Sequence, residues 1–231
     1  MKQVIGIVGG LGTETSCKFC FSVNHKIKKI HNCQPHIILD NVPISNKQLN
    51  LFAHGNASME VAKLLHNSVK RLNLSTANVI VIPCNAAHVF IDQLREHSRV
   101  PIMSIIEETA KECKNKSFRK VGVLGSSLTI NSGMYKKELQ KHSIGMVIPE
   151  PDEQHFISSC IIKIIHLEQT EEDKQKMLQI VEKMKNKGAE AVILGCTDLF
   201  LLLANEETSL PKIDSTEILE NALVSRVIEG R

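Results

Sequence analysis

Two cysteines stand where a buried run of apolar residues gives way to a helix-like segment. Cys84 follows the strand in "NVIVIPCNAAH" (78–88), and Cys196 follows the one in "AEAVILGCTD" (189–198). In open parallel sheets, ligands bind just beyond the carboxyl ends of the strands. A helix start adds unpaired N–H groups and a positive dipole end, which favour thiolate over thiol. One cysteine after a buried strand reads as packing, because free cysteine behaves as a small hydrophobe. Two of them, at matching places in a repeated unit and each flanked by Asn or Thr, read as a functional pair. Opposed thiols suit inversion at the α-carbon of an amino acid. One takes the α-proton from one face, the other returns a proton to the opposite face, and the roles exchange for the other enantiomer. Without a cofactor to spread the carbanion charge, preorganised donors must stabilise it. The helix-start N–H groups, Asn85 and Thr197 are the donors expected at the substrate carboxylate.

The elements that must hold these residues alternate between strand and helix. Strands are expected at 3–9, 36–40, 78–83, 100–104, 120–125, 145–148, 190–195 and 211–213. Helices are expected at about 14–30, 58–73, 85–97, 106–116, 131–142, 153–166, 171–187 and 198–204, and from Thr216 onward. The segment around Pro43 reads as irregular. Val61, Leu64, Leu65, Val69 and Leu72 share one helical face. Such alternation predicts an α/β protein with parallel sheets flanked by helices. The chain also repeats itself. "VIGIVGG" (4–10) resembles "KVGVLGSS" (120–127), and each is followed by a strand ending at a cysteine. The glycine-to-cysteine separations are 84 − 6 = 78 and 196 − 122 = 74 residues. Two similar lobes facing across a cleft account for this. The first is expected over 1–105, completed by 211–231, and the second over 106–210.

Composition narrows the partners. Net charge is +3 and spread along the chain, aromatic residues are 3%, and there is a single Tyr. Neither a basic block nor a stacking platform for bases is present, so no nucleic acid is expected; "KIKKIH" (26–31) reads as a solvated helix face. No run approaches the roughly 20 apolar residues of a membrane span, so no membrane partner is expected. Nothing near the start reads as a signal peptide, which makes the cytoplasm the expected location. Seven cysteines, an odd number, argue for reduced thiols over a disulfide framework. Cys17 and Cys20 form a CxxC without a second such pair and read as core packing. Cys84 and His88 have i,i+4 spacing, but no second CxxxH completes a zinc site, so no metal is expected. "GIVGGLGTETS" (6–16) lacks the GxGxxG spacing, and no GK[ST] is present. Its first turn, with Gly10, suits either tight packing or anion binding.

Over nearly its whole length the sequence resembles the aspartate/glutamate racemase family, and the aspartate-acting branch most of all. The resemblance rests on "IGIVGGLG", "PCNAAH" (83–88), "VPIMSIIEETA" (100–110), "VGVLGSSLTINSGMY" (121–135), "PEPDEQ" (149–154) and "GAEAVILGCTDL" (188–199). It implies two Rossmann-like lobes related by a pseudo-twofold axis, a homodimer, no pyridoxal phosphate or other cofactor, and a small amino-acid substrate, aspartate or glutamate. The family's two catalytic cysteines fall on Cys84 and Cys196. Asn85 matches the Asn of its CNT motif, while Ala86 replaces the Thr. Thr197 matches the GCT motif, and Asp198 stands where Glu is common. Leu11 and Thr13 replace the Met and Pro of a GGMGP turn. Lys47 in "ISNK" (44–47) takes the place of an Arg that grips the substrate's side-chain carboxylate, and His166 lies near a second basic position. Ser126, Ser127 and Thr129 match a run that lines the cleft. The substitutions keep two other readings open: an isomerase or decarboxylase of small dicarboxylic acids on the same scaffold, or a silent amino-acid-binding protein.

Overall fold

The computed structural model describes residues 3–230. Its strands form two four-stranded sheets, parallel throughout. The first holds β1 (Val4–Gly9), β2 (His36–Asn41), β3 (Val79–Val81) and β4 (Ile102–Met103) in the order β2-β1-β3-β4. The second holds β5 (Lys120–Leu124), β6 (Gly145–Val147), β7 (Ala191–Leu194) and β8 (Lys212–Asp214) in the matching order β6-β5-β7-β8.

The repeat seen in the sequence is a repeat in register. Gly6 of β1 pairs with Ile80 of β3, and Gly122 of β5 pairs with Val192 of β7. Each cysteine lies four residues beyond that partner (84 − 80 = 4; 196 − 192 = 4). The two glycines also serve the same packing. α3 (Met59–Leu74) crosses the first sheet where a Cβ on Gly6 would stand 3.2 Å from Leu72 Cδ1. α9 (Glu171–Asn186) crosses the second where a Cβ on Gly122 would stand 2.8 Å from Met184 Sδ.

Side-chain alternation along the strands sorts the core into layers. Ile5, Ile7, Val79 and Val81 of the first sheet, and Val121, Val123, Ala191 and Ile193 of the second, belong to one continuous core. Residues of α1 (Thr13–His31), α5 (Ile105–Asn115), α7 (Met134–Lys141) and α11 (Ser215–Ile228) complete it. The alternate residues Ile80 and Ile82 face α3, and Val192 and Leu194 face α9 and α8 (Pro151–Ile165). Fully burying each such aliphatic side chain stabilises the fold by about 1.5–3 kcal/mol. The expected face of α3 is buried at Val61, Leu65, Val69 and Leu72 and half-buried at Leu64. In 211–230, β8 extends the second sheet beside β7, and α11 packs on α1 and α5.

Three local departures matter for the site. The stretch expected to be irregular contains α2 (Asn46–Ala53), capped by Ser45. Gln48 N–H donates to Ser45 Oγ at 3.3 Å, and Ser45 N–H donates to Gln48 Oε1 at 3.0 Å, a capping box. The helix expected over 85–97 is a 3-10 turn at Ala86–Phe90 followed by α4 (Ile91–Glu96). The helix expected over 131–142 is preceded by α6 (Ser127–Asn131), and Gly133 at φ 73° separates α6 from α7. That left-handed position suits glycine and interrupts the helical path.

Candidate active site

Both cysteines line one small cavity of about 40 Å³ between the lobes. Their surroundings match. Backbone N–H groups of Ala86 and Ala87, two and three residues on, point at the Cys84 sulfur. Those of Asp198 and Leu199, again two and three residues on, point at the Cys196 sulfur. The polypeptide turns sharply after each strand, and this aims successive N–H groups at one point. α10 (Leu199–Leu203) begins there in the second lobe. Gly195 permits the turn, since a Cβ would stand 2.8 Å from the Leu124 carbonyl oxygen.

The ionisation of the pair differs from the sequence expectation. Cys84 and Cys196 are half-buried, and dense packing dominates. Burial pushes the Cys84 thiol up to about 12, with the Asp198 charge adding to it. The Cys196 thiol is raised well above its ordinary value, first by burial, then by Asp198, and also by Cys84. The N–H groups pull both down, but two weak donors do not offset the cost of placing a thiolate in low dielectric. Helix starts therefore hold thiols here.

Asp198 is the polar centre of the cavity. Its Oδ2 accepts from the Cys196 thiol at 3.8 Å, and its Oδ1 accepts from Thr15 Oγ1 at the start of α1. Gly12, at φ 102°, lets the first turn pass the carboxylate, because a Cβ there would stand 3.2 Å from Oδ2. Burial raises the Asp198 carboxyl, against its hydrogen bonds from Thr15 and Cys196.

Two buried side chains brace the Cys84 turn. The Ile105 N–H donates to His88 Nε2 at 3.2 Å, which leaves Nδ1 as the protonated nitrogen. Nδ1–H then donates to the Cys84 carbonyl oxygen at 2.9 Å. Burial lowers the His88 pKa to about 4, so the ring is neutral. The i,i+4 spacing of Cys84 and His88 serves the backbone. Asn85 joins the lobes: its Nδ2 donates to Ser215 Oγ at 3.0 Å, and its Oδ1 accepts from Tyr135 Oη at 2.7 Å. Ser215 Oγ in turn donates to the Leu194 carbonyl at 2.7 Å.

The residues expected at the site divide. Cys84, Cys196, Asn85, Ala86, Ser126, Thr129 and Thr197 line the cavity. Ser126 caps α6, its Oγ accepting from Thr129 N–H at 3.3 Å. Ser127 points elsewhere, its Oγ 2.8 Å from Ser158 Oγ. Gly10, at φ 95°, serves the turn, where any Cβ would strike the Val42 carbonyl. Lys47 and His166 do not line the cavity and are exposed. Lys47 lies in the first turn of α2 and His166 caps the end of α8; both helices turn other residues inward. Leu49, Phe52 and Ala53 of α2 and Ile161 and Ile165 of α8 form that inner wall. They escaped the sequence reading, although the S-x-x-Q signal at Ser45 and Gln48 marked α2. The CxxC thiols also separate, Cys17 being exposed and Cys20 half-buried against the shared core.

Two parallel α/β lobes of matching strand order, with a cavity between them, are the fold of the Asp/Glu racemases. The chain belongs to the Asp/Glu/Hydantoin racemase family, whose sequence pattern matches residues 8–223, and it is an isomerase of the racemase type. It is 26% identical over 227 residues to the broad specificity amino-acid racemase RacX of Bacillus subtilis (strain 168), covering 96% of this chain and 97% of that one. An aspartate racemase homologue from Pyrococcus horikoshii OT3 superposes with a TM-score of 0.76 at 26% identity, over 97% of this chain and 98% of that one. The aspartate racemase of Picrophilus torridus has the same fold, with a TM-score of 0.79 at 23% identity, over 96% and 93% of the two chains. Among the described residues no helix is long and apolar enough to cross a membrane, and no cluster of three or more His, Cys, Asp or Glu could hold a metal ion.

Proposed function

We propose that the protein is a cofactor-independent amino-acid racemase in which Cys84 and Cys196 are the two bases. The supporting observation is that both thiols, at equivalent ends of a repeated unit, line one cavity. In one direction the Cys84 thiolate takes the α-proton and becomes a thiol, while the Cys196 thiol gives its proton to the opposite face of the α-carbanion and becomes a thiolate. The reverse direction exchanges the roles. Asp198 pairs with the substrate ammonium. Thr197, Thr129 and Asn85 are donors for the α-carboxylate, whose charge grows toward the transition state. A high thiol pKa suits this work: once ionised, such a thiolate is a stronger base toward a weakly acidic C–H. The incoming ammonium favours the ionised form by opposite charge at short range. The homodimer and the cytoplasmic location expected from the sequence belong to the same proposal, and light scattering of the purified protein tests the first.

The test follows racemisation by chiral chromatography in deuterium oxide. The wild type is expected to place one solvent deuterium at the α-position of the product. Cys84→Ala and Cys196→Ala are each expected to abolish racemisation while retaining the native circular dichroism spectrum. Near-normal turnover in either variant overturns the two-base mechanism.

A further inference from the structure

If the site is a racemase site, as proposed above, its walls also choose the substrate. We infer that the substrate is a neutral amino acid whose compact aliphatic side chain lies against Leu49, Phe52, Ile161 and Ile165, in place of the aspartate or glutamate expected from the sequence.

Three observations carry this inference. The wall is apolar and comes from both lobes: α2 supplies Leu49 and Phe52, α8 supplies Ile161 and Ile165, and the two helices pack together over the cavity. The charge at the site is wrong for an acid. Among the described residues of the lining, Asp198 is the ionisable one besides the two cysteines, and none is basic. A side-chain carboxylate would enter without a partner, beside a carboxylate already there, and an unpaired buried charge is strongly disfavoured. The basic groups of the two wall helices are also directed elsewhere. Lys47 is two residues from Leu49, which on an α-helix places it on the opposite side. Lys163 of α8 is paired with Asp173 at 2.8 Å. His54, at the end of α2, is 2.9 Å from the Asn50 carbonyl oxygen through Nδ1 and faces His155 of α8. His166 is exposed.

The volume points the same way. A cavity of about 40 Å³ has room for only a few water molecules. The apolar faces that α2 and α8 turn to it give an aliphatic side chain a surface to cover and give a carboxylate no donor.

The experiment compares initial rates of the wild type on L-alanine, L-valine, L-leucine and L-methionine with those on L-aspartate and L-glutamate. Chiral chromatography and α-deuterium incorporation are the readouts. The best aliphatic substrate is expected to exceed both acids by about 100-fold or more in kcat/KM, the scale of leaving one buried charge unpaired. Leu49→Arg, at a half-buried position, supplies the missing cation and is expected to narrow that gap by about tenfold or more. Aspartate or glutamate turned over as well as any aliphatic substrate overturns this inference and leaves the racemase reading intact. Absence of α-deuterium from every substrate overturns both. The wild-type panel decides the matter whether or not Leu49→Arg folds.

Discussion

The thiol of Cys196 donates to Oδ2 of Asp198 at 3.8 Å, whereas on Cys84 the same carboxylate acts through its charge. This breaks the symmetry of a site otherwise built twice. Asp198→Asn removes the negative charge, so both thiols are expected to ionise at lower pH, Cys196 more than Cys84. Iodoacetamide labelling against pH, mapped by peptide mass spectrometry, reads the two shifts separately; mapping is needed because Cys17 and Cys33 are exposed. If Asp198 also holds the substrate ammonium, KM rises about tenfold or more, the scale of a lost charge-assisted hydrogen bond. An unchanged KM removes Asp198 from that role.

On the proposed two-base mechanism, the pH dependence of the reaction follows from the Cys84 thiol, raised to about 12 mainly by burial. The base form is the thiolate, and its population grows with pH. In the free enzyme kcat/KM is therefore expected to climb through the alkaline range, with its rise displaced above the ordinary thiol pKa of about 8.5. A plateau already reached at neutral pH contradicts this.

His88 gives a stability prediction of definite sign. Its pKa is lowered from the ordinary 6.5 to about 4 by burial, and the residue is 2% exposed. The unfolded chain therefore binds a proton more readily than the native one between these values. The contribution is fully present above pH 6.5 and is lost as pH falls toward 4. The shift of about 2.5 units corresponds to about 3 kcal/mol. In His88→Gln, unfolding free energy measured by urea titration is expected to fall less steeply across that window. A slope equal to that of the wild type contradicts the assignment.

Tyr135 and Asn85 link the lobes through a buried hydrogen bond of 2.7 Å. Tyr135→Phe leaves Asn85 Oδ1 without that donor and is expected to destabilise the protein by about 1–3 kcal/mol. Because Asn85 lines the cavity, kcat is expected to fall with it. Lost stability with full kcat reduces the bond to a structural role.

Much of this was legible in the chain. The alternation of strands and helices and the two glycine-to-cysteine spans gave the doubled α/β plan, because side-chain period and close helix packing at Gly6 and Gly122 are local requirements. The cysteine pair was legible for the same reason: each closes an equivalent buried strand. Tertiary structure decided the rest. The ionisation of Cys84 and Cys196 depends on how completely neighbouring elements exclude water, which no local motif encodes. The fate of Lys47 and His166 depends on the rotation of α2 and α8 about their axes, set by the apolar faces they bury against each other. Asp198, Thr15 and Gly12 meet only because the two lobes are docked, across a separation of more than 180 residues. The chain thus specified where along each repeat the two cysteines stand, and the packing of the lobes specified what surrounds them.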